Sequence, residues 1–193
     1  MSALSHTPST RRLFFALWPG AADAARMMAW VEEAHRLCGG RMMRQDTLHL
    51  TLAFLGDTPV EQVQVLQNAT PTWHAYAQPL TLQRFGCFQG PRVVWAGPTS
   101  HDDERLPWLD ELHNKLWQHL EALGWQRPQE SFRPHVSLLR KATLRDANAL
   151  QLPAPLRWTP EQCLLVASTP GDSGSYYEVL ARMPLHISAG DYP

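Results

Sequence analysis

The sequence predicts an α+β protein built on mainly antiparallel sheets, and three observations carry that expectation. Apolar runs of strand length recur between stretches of helical period, in the order strand, helix, strand, helix, two strands, helix and three strands. One strand in each half carries the same residue pattern. No low-complexity segment or long linker divides the chain, so residues 1–193 are expected to form one domain of two packed lobes, long enough to fold without staples.

The polar opening, MSALSHTPST, is expected to be disordered over about residues 1–10. Arg12 to Trp18 (RLFFALW) reads as a buried strand that turns at Pro19-Gly20. Residues 21–37 then place Ala25, Met28, Val31 and Leu37 at helical spacing, and Gly39-Gly40 stops that helix. Thr47 to Leu55 (TLHLTLAFL) alternates as a half-buried strand should and closes at Gly56-Asp57. A short helix is expected over 60–69, followed by strands Pro79 to Phe88 and Arg92 to Ala96 joined by a Gly90-Pro91 turn.

Leucines at 106, 109, 112, 116, 120 and 123 recur at three- and four-residue steps and predict a helix over about 102–123, stopped by Gly124. The Asp102-Asp103-Glu104 run reads as charge complementing the dipole at its start. His135 to Arg140, Glu161 to Ser168 and Tyr176 to Met183 read as the last three strands, before an irregular tail.

Composition narrows the function. A net charge of −1 with 18% charged residues excludes a strongly basic coat for nucleic acid, so any RNA footprint is small and local. Cys38, Cys87 and Cys163 lie far apart with no CxxC pair, which fits buried thiols in a reducing cytoplasm. Neither a signal-peptide core nor a run of about 18 apolar residues is visible, so a soluble protein away from membranes is expected. A monomer is the default in the absence of heptads.

The informative feature is a pair of tetrapeptides 86 residues apart, His49-Leu50-Thr51-Leu52 and His135-Val136-Ser137-Leu138. Alternation along a strand puts His49 and Thr51 on one face, with Leu48, Leu50 and Leu52 turned to the core on the other. His135 and Ser137 share a face in the same way above Val136 and Leu138. Within each motif the imidazole and hydroxyl are about 6.6 Å apart at the backbone, a span over which both can touch one phosphate.

Opening a phosphodiester with water needs a base for the nucleophile and an acid for the departing oxygen, on opposite sides of phosphorus. Histidine, with a reference pKa of about 6.5, serves either role near neutral pH. Thr51 and Ser137 can donate to the non-bridging oxygens, and the scheme calls for no metal and no cofactor. Arg41, Arg44, Arg133, Arg140 and Lys141 flank the motifs, with Arg140 favoured for phosphate or ribose contact.

The two motifs, with RLFFALWP, LHLTLAFLG, RVVWAGP and RPHVSLLR around them, resemble the 2H phosphoesterase superfamily. More narrowly the chain resembles the bacterial RNA 2',3'-cyclic phosphodiesterases, the LigT-like or ThpR proteins, over nearly its whole length. That resemblance implies a bilobal, pseudo-twofold LigT-like fold, with two mainly antiparallel sheets and flanking helices around a central groove. It also implies hydrolysis of RNA 2',3'-cyclic phosphate ends to 2'-phosphomonoesters, with His49 as proton donor and His135 as proton acceptor. Ser137 stands where the family more often has threonine, losing only the methyl that stiffens the side chain.

Other readings are set beside this one. His6, His35, His74, His101, His113, His119 and His186 lack a partner motif and are taken as structural, with His113 and His119 at the boundary of the long helix. Nine histidines without HExxH spacing do not make a metal site. Phe54 and Trp95 are weighed as base-stacking groups, but parity from His49 puts Phe54 on the opposite face of an unbroken strand, and neither is nominated. The alternatives are a 2'-5' RNA ligase joining cyclic phosphate and 5'-hydroxyl ends, and a non-catalytic RNA-end binding module. The substrates expected are RNA with a cyclic phosphate end, tRNA fragments included, or a small cyclic nucleotide.

Overall fold

A computed structural model describes residues 9–99, 104–143, 150, 154–171 and 174–187. Its strands form one eight-stranded sheet and two small two-stranded ones. In chain order the strands of the large sheet are β1 (Thr10–Trp18), β2 (Arg41–Met42), β3 (Leu50–Pro59), β6 (Arg84–Phe88), β7 (Val93–Gly97), β8 (Val136–Arg140), β10 (Gln162–Gly171) and β11 (Gly174–Met183). They follow the order β11-β10-β1-β3-β8-β7-β6, with β2 also pairing β8. Every pairing in this sheet is antiparallel.

The large sheet is two sheets joined at a seam. Four strands of one lobe and four of the other meet where β3 pairs β8, and there the register holds a single partnership, Leu50 with Val136. Of the helices α1 (Ala21–Cys38), α2 (Val60–Ala69) and α3 (Pro107–Ala122), the first and third bind the lobes together by crossing between them, while α2 stays against β1, β3 and β11. Thus α1 follows β1 yet packs against β8, while α3 follows β7 yet packs against β3 and β4 (Ala75–Ala77). One apolar cluster runs through both lobes, from Leu13, Phe15 and Leu17 to Val94, Ala96, Val136 and Leu138. None of the described helices is long and apolar enough to cross a membrane.

Residues that alternate along β1 decide what covers each face. Leu13, Phe15 and Leu17 enter the main core, whereas Phe14 and Ala16 join Leu164 and Val166 in a small cluster on the other face. Trp18 and Tyr177 pack at the edge of that second cluster. The face opposite the helices is therefore not bare, and its aromatic patch adjoins the first motif.

Several boundaries differ from expectation. In α1 the buried residues are Ala24, Met27, Trp30, Val31, Ala34 and Cys38, one step away from the Ala25, Met28 and Leu37 read from the sequence. The long helix begins only at Pro107, whose ring presets the first turn without needing a donor, and Glu104 precedes it in irregular chain. Asp102, Asp103, His6 and His101 lie outside the described residues.

The expected strand Pro79 to Phe88 breaks at Gln83, whose side-chain amide donates to the Pro98 carbonyl. Before the break β5 (Leu80–Leu82) pairs β9 (Leu156–Trp158), and after it β6 pairs β7. The tail is not wholly irregular, because β12 (Leu185–Ile187) pairs β4 in parallel. The first-motif strand starts at Leu50, since residues 45–47 form a 3-10 turn.

Candidate active site

The seam places the two motifs side by side. With Leu50 opposite Val136, continuing the antiparallel register by one residue brings His49 level with Ser137 and Thr51 level with His135. Leu48, Leu50, Leu52, Val136 and Leu138 are buried beneath them, and His49, Thr51, His135 and Ser137 are half-buried above. Each imidazole of one lobe thus faces the hydroxyl of the other.

The two histidines are held in the same way. His49 Nδ1 donates to the Thr47 carbonyl at 2.8 Å, and His135 Nδ1 donates to the Arg133 carbonyl at 2.7 Å. A carbonyl only accepts, so each Nδ1 carries a proton and each Nε2 is the nitrogen left for chemistry.

Aromatic rings enclose both. Trp18 stacks on His49 at a centroid distance of 4.8 Å and Phe14 at 5.0 Å, while Tyr177 meets it edge-on at 5.5 Å. Phe88 meets His135 edge-on at 4.9 Å, and Trp95 lies at 5.9 Å. Burial against these rings is the main reason His49 is held down to about 4, and the positive charges of Arg140 and His135 add to it. His135 is lowered by the same burial and by Arg140, against the pull of the Arg133 carbonyl. Burial thus favours the neutral form of both imidazoles when no anion is present.

A matched irregularity follows each motif. The register of β3 with β1 runs from Phe15 opposite Ala53 to Ala16 opposite Thr51, so Leu52 is an extra residue and both Leu52 and Ala53 are buried. In β8 the register with β7 passes from Ser137 to Leu139, leaving Leu138 as the extra residue, and Leu138 and Leu139 are both buried. Each bulge reverses parity, so the fifth residue after each histidine returns to the groove side.

That residue is Arg140 in the second motif and Phe54 in the first. Arg140 is exposed, and its charge reaches both imidazoles. Phe54 is 49% exposed and lines the groove with Thr51 and His135, which corrects the parity argument that placed it on the far face. The sequence carries no mark of the bulge.

From this centre a cavity of about 610 Å3 runs past Thr51, Phe54, Phe88 and His135 toward Trp117, Arg127 and Phe132. His113 forms part of its wall and is buried in α3 rather than at its boundary. Trp117 Nε1 donates to His113 Nε2 at 3.1 Å, and Phe132 stacks on the ring at 3.9 Å. Burial and the Arg127 charge hold His113 down to about 4. His119, by contrast, does sit at the helix boundary, half-buried against Trp73.

Beside His49, separate from that cavity, lies a concavity lined by Arg41, Arg44, Thr47, Arg140, Ser175 and Tyr177. Arg41 and Arg44 thus join Arg140, whereas Arg133 lines the aromatic groove.

Three comparisons with known proteins bear on this geometry. A model of the 2'-5' RNA ligase superfamily matches residues 19–168. An RNA 2',3'-cyclic phosphodiesterase of Escherichia coli K12 is 32% identical over 147 residues, which are 75% of this chain and 78% of that protein. One of Thermus thermophilus is 28% identical over 195 residues, covering 93% of this chain and 92% of its relative. The crystal structure of E. coli LigT complexed with 3'-AMP is similar at a TM-score of 0.77 and 29% identity, over 92% of this chain and 99% of that one.

Proposed function

The chain belongs to the 2'-5' RNA ligase superfamily, and from that premise we propose that it hydrolyses RNA 2',3'-cyclic phosphate ends to 2'-phosphomonoesters by acid-base catalysis between His49 and His135. Relatives named RNA 2',3'-cyclic phosphodiesterase, at 32% and 28% identity over most of the chain, support the substrate and the reaction. The observation that carries the mechanism is the paired tautomer, two imidazoles from adjoining strands with Nδ1 tied to the backbone and Nε2 left to act.

In the forward step His135 Nε2 takes a proton from water, and the water oxygen forms a bond to phosphorus. The bond from phosphorus to the 3'-oxygen breaks, and His49 Nε2–H supplies the proton that this oxygen needs. The product carries a 2'-phosphate and a free 3'-hydroxyl. Thr51 and Ser137 donate to the non-bridging oxygens, and Arg140 balances their charge. Phe54 offers a ring face beside the hydroxyls to the terminal nucleoside.

His49 must hold a proton at Nε2 to act as the acid, although it is held down to about 4 in the empty site. The substrate supplies the remedy. A phosphate anion between the imidazoles and Arg140 offsets the burial and the positive neighbours, and so raises the pKa of both histidines and favours their protonated form. Binding and protonation are thereby coupled.

Incubating a short RNA bearing a 2',3'-cyclic phosphate and assigning the product by phosphorus NMR tests the proposal. A 2'-phosphate is expected, and a 3'-phosphate contradicts the assignment of the leaving oxygen. With a 5'-hydroxyl strand in place of water the same residues would form a 2'-5' bond, and adding such a strand to the assay separates the two outcomes.

A further inference from the structure

The cation cluster beside His49 is larger than one phosphate requires. In the pairing of β2 with β8, Arg41 stands directly opposite Arg140, an arrangement of like charges that destabilises a sheet unless something offsets it. Arg44 lines the same concavity with Ser175 and Tyr177, and the whole chain carries a net charge of only −1. Asp46 accepts from Arg44 Nε at 3.1 Å and Nη2 at 3.4 Å and so compensates that one arginine in part. Among the described residues, no carboxylate forms an ion pair with Arg41 or Arg140.

Arg41 is also given room to lie there. A Cβ on Gly174, at the start of β11, would come within 2.8 Å of Arg41 Nη1, so the glycine lets the guanidinium cross the strand backbone. The concavity lies beside His49. Thr47, in its wall, supplies the carbonyl that holds His49, and Tyr177, in the same wall, meets the His49 ring edge-on. Arg41, Arg44 and Arg140 all act electrostatically on the Tyr177 phenol.

We propose that Arg41, with Arg44 and Arg140, forms a second phosphate subsite that takes the internucleotide phosphate on the 5' side of the terminal nucleotide. The proposal rests on the cyclic phosphodiesterase reading and refines it, because the preferred substrate then has at least two nucleotides. A second anion here offsets the opposed Arg41 and Arg140 charges while the first lies between the histidines. Arg140, reaching both places, orients one phosphate relative to the other.

The test compares kcat/KM for three substrates: a dinucleotide ending in a 2',3'-cyclic phosphate, the same dinucleotide with a neutral methylphosphonate link, and a nucleoside 2',3'-cyclic phosphate. The native protein is expected to prefer the charged link to the neutral one on the order of tenfold, the worth of one charge-assisted contact. Arg41→Gln is expected to abolish that preference while leaving the nucleoside cyclic phosphate unaffected.

A native ratio near one overturns the proposal, as does a preference that survives Arg41→Gln. A loss shared equally by all three substrates in Arg41→Gln also overturns it, since Arg41 would then serve the catalytic field alone. Failure of the native protein to turn over any of the three strikes instead at the hydrolysis on which the proposal rests.

Discussion

At the scale of single residues, the proposed chemistry depends on which nitrogen each histidine presents and on when it holds a proton. Fixing Nδ1 on a carbonyl two residues upstream costs no extra partner and leaves each ring one way to face. Replacing His49 or His135 by Ala is expected to lower the rate roughly a hundred- to ten-thousandfold, the usual worth of one positioned acid or base. Because an anion raises both groups from lowered values, binding 2'-AMP near pH 6 should take up protons from buffer. Calorimetry in buffers of different ionisation heat checks this, and proton release would contradict it. The histidine pair and the two hydroxyls were legible in the sequence because strand alternation needs only local pattern. The rings that keep His49 neutral were not, since Phe14, Trp18 and Tyr177 reach it from β1 and β11, far away along the chain.

At the scale of elements, irregularities in the two motif strands decide which residues reach the groove. A regular β3 would turn Phe54 to the core and a regular β8 would do the same to Arg140; the extra Leu52 and Leu138 bring both back to the groove. The reading of Arg140 as a contact residue and of Phe54 as remote therefore drew opposite conclusions about equivalent positions. Alternation in the sequence cannot reveal a bulge, because leucine next to alanine or leucine fits either a bulge or a fully buried stretch. Packing behind His135 is equally exacting. A Cβ on Gly86 would lie 2.0 Å from the Trp95 ring, which itself backs His135. Gly86→Ala is accordingly expected to destabilise the fold by about 1–3 kcal/mol through overpacking. It should also reduce turnover in whatever folds, as thermal denaturation and steady-state rates together would read.

At the scale of the whole molecule, the groove is the seam between two lobes whose strands share one residue pair and which exchange two helices, α1 and α3. The element order, all three helices and the antiparallel sheets were readable from apolar period, whereas β2, β4, β9 and β12 were not. Strands of two or three residues carry too little alternation to register, and their partners are set by the tertiary fold. The groove also leaves a thermodynamic trace. His49 and His113 are held down to about 4, against about 6.5 in an unfolded chain. Between those values the unfolded state binds more protons, so stability should be full above about pH 6.5 and fall as the pH drops toward 4. Denaturant melts across this range should show that slope, and His113→Asn, which cannot titrate, should reduce it. A stability that is flat or rises on acidification would contradict the assigned environments.

The proposed catalysis requires one phosphate to be gripped by both imidazoles. Histidine NMR titrations of the protein, recorded with and without 2'-AMP, test this most directly. The ring nitrogens of both His49 and His135 should titrate at higher pH with the nucleotide bound. A shift confined to one of the two catalytic candidates would contradict the account.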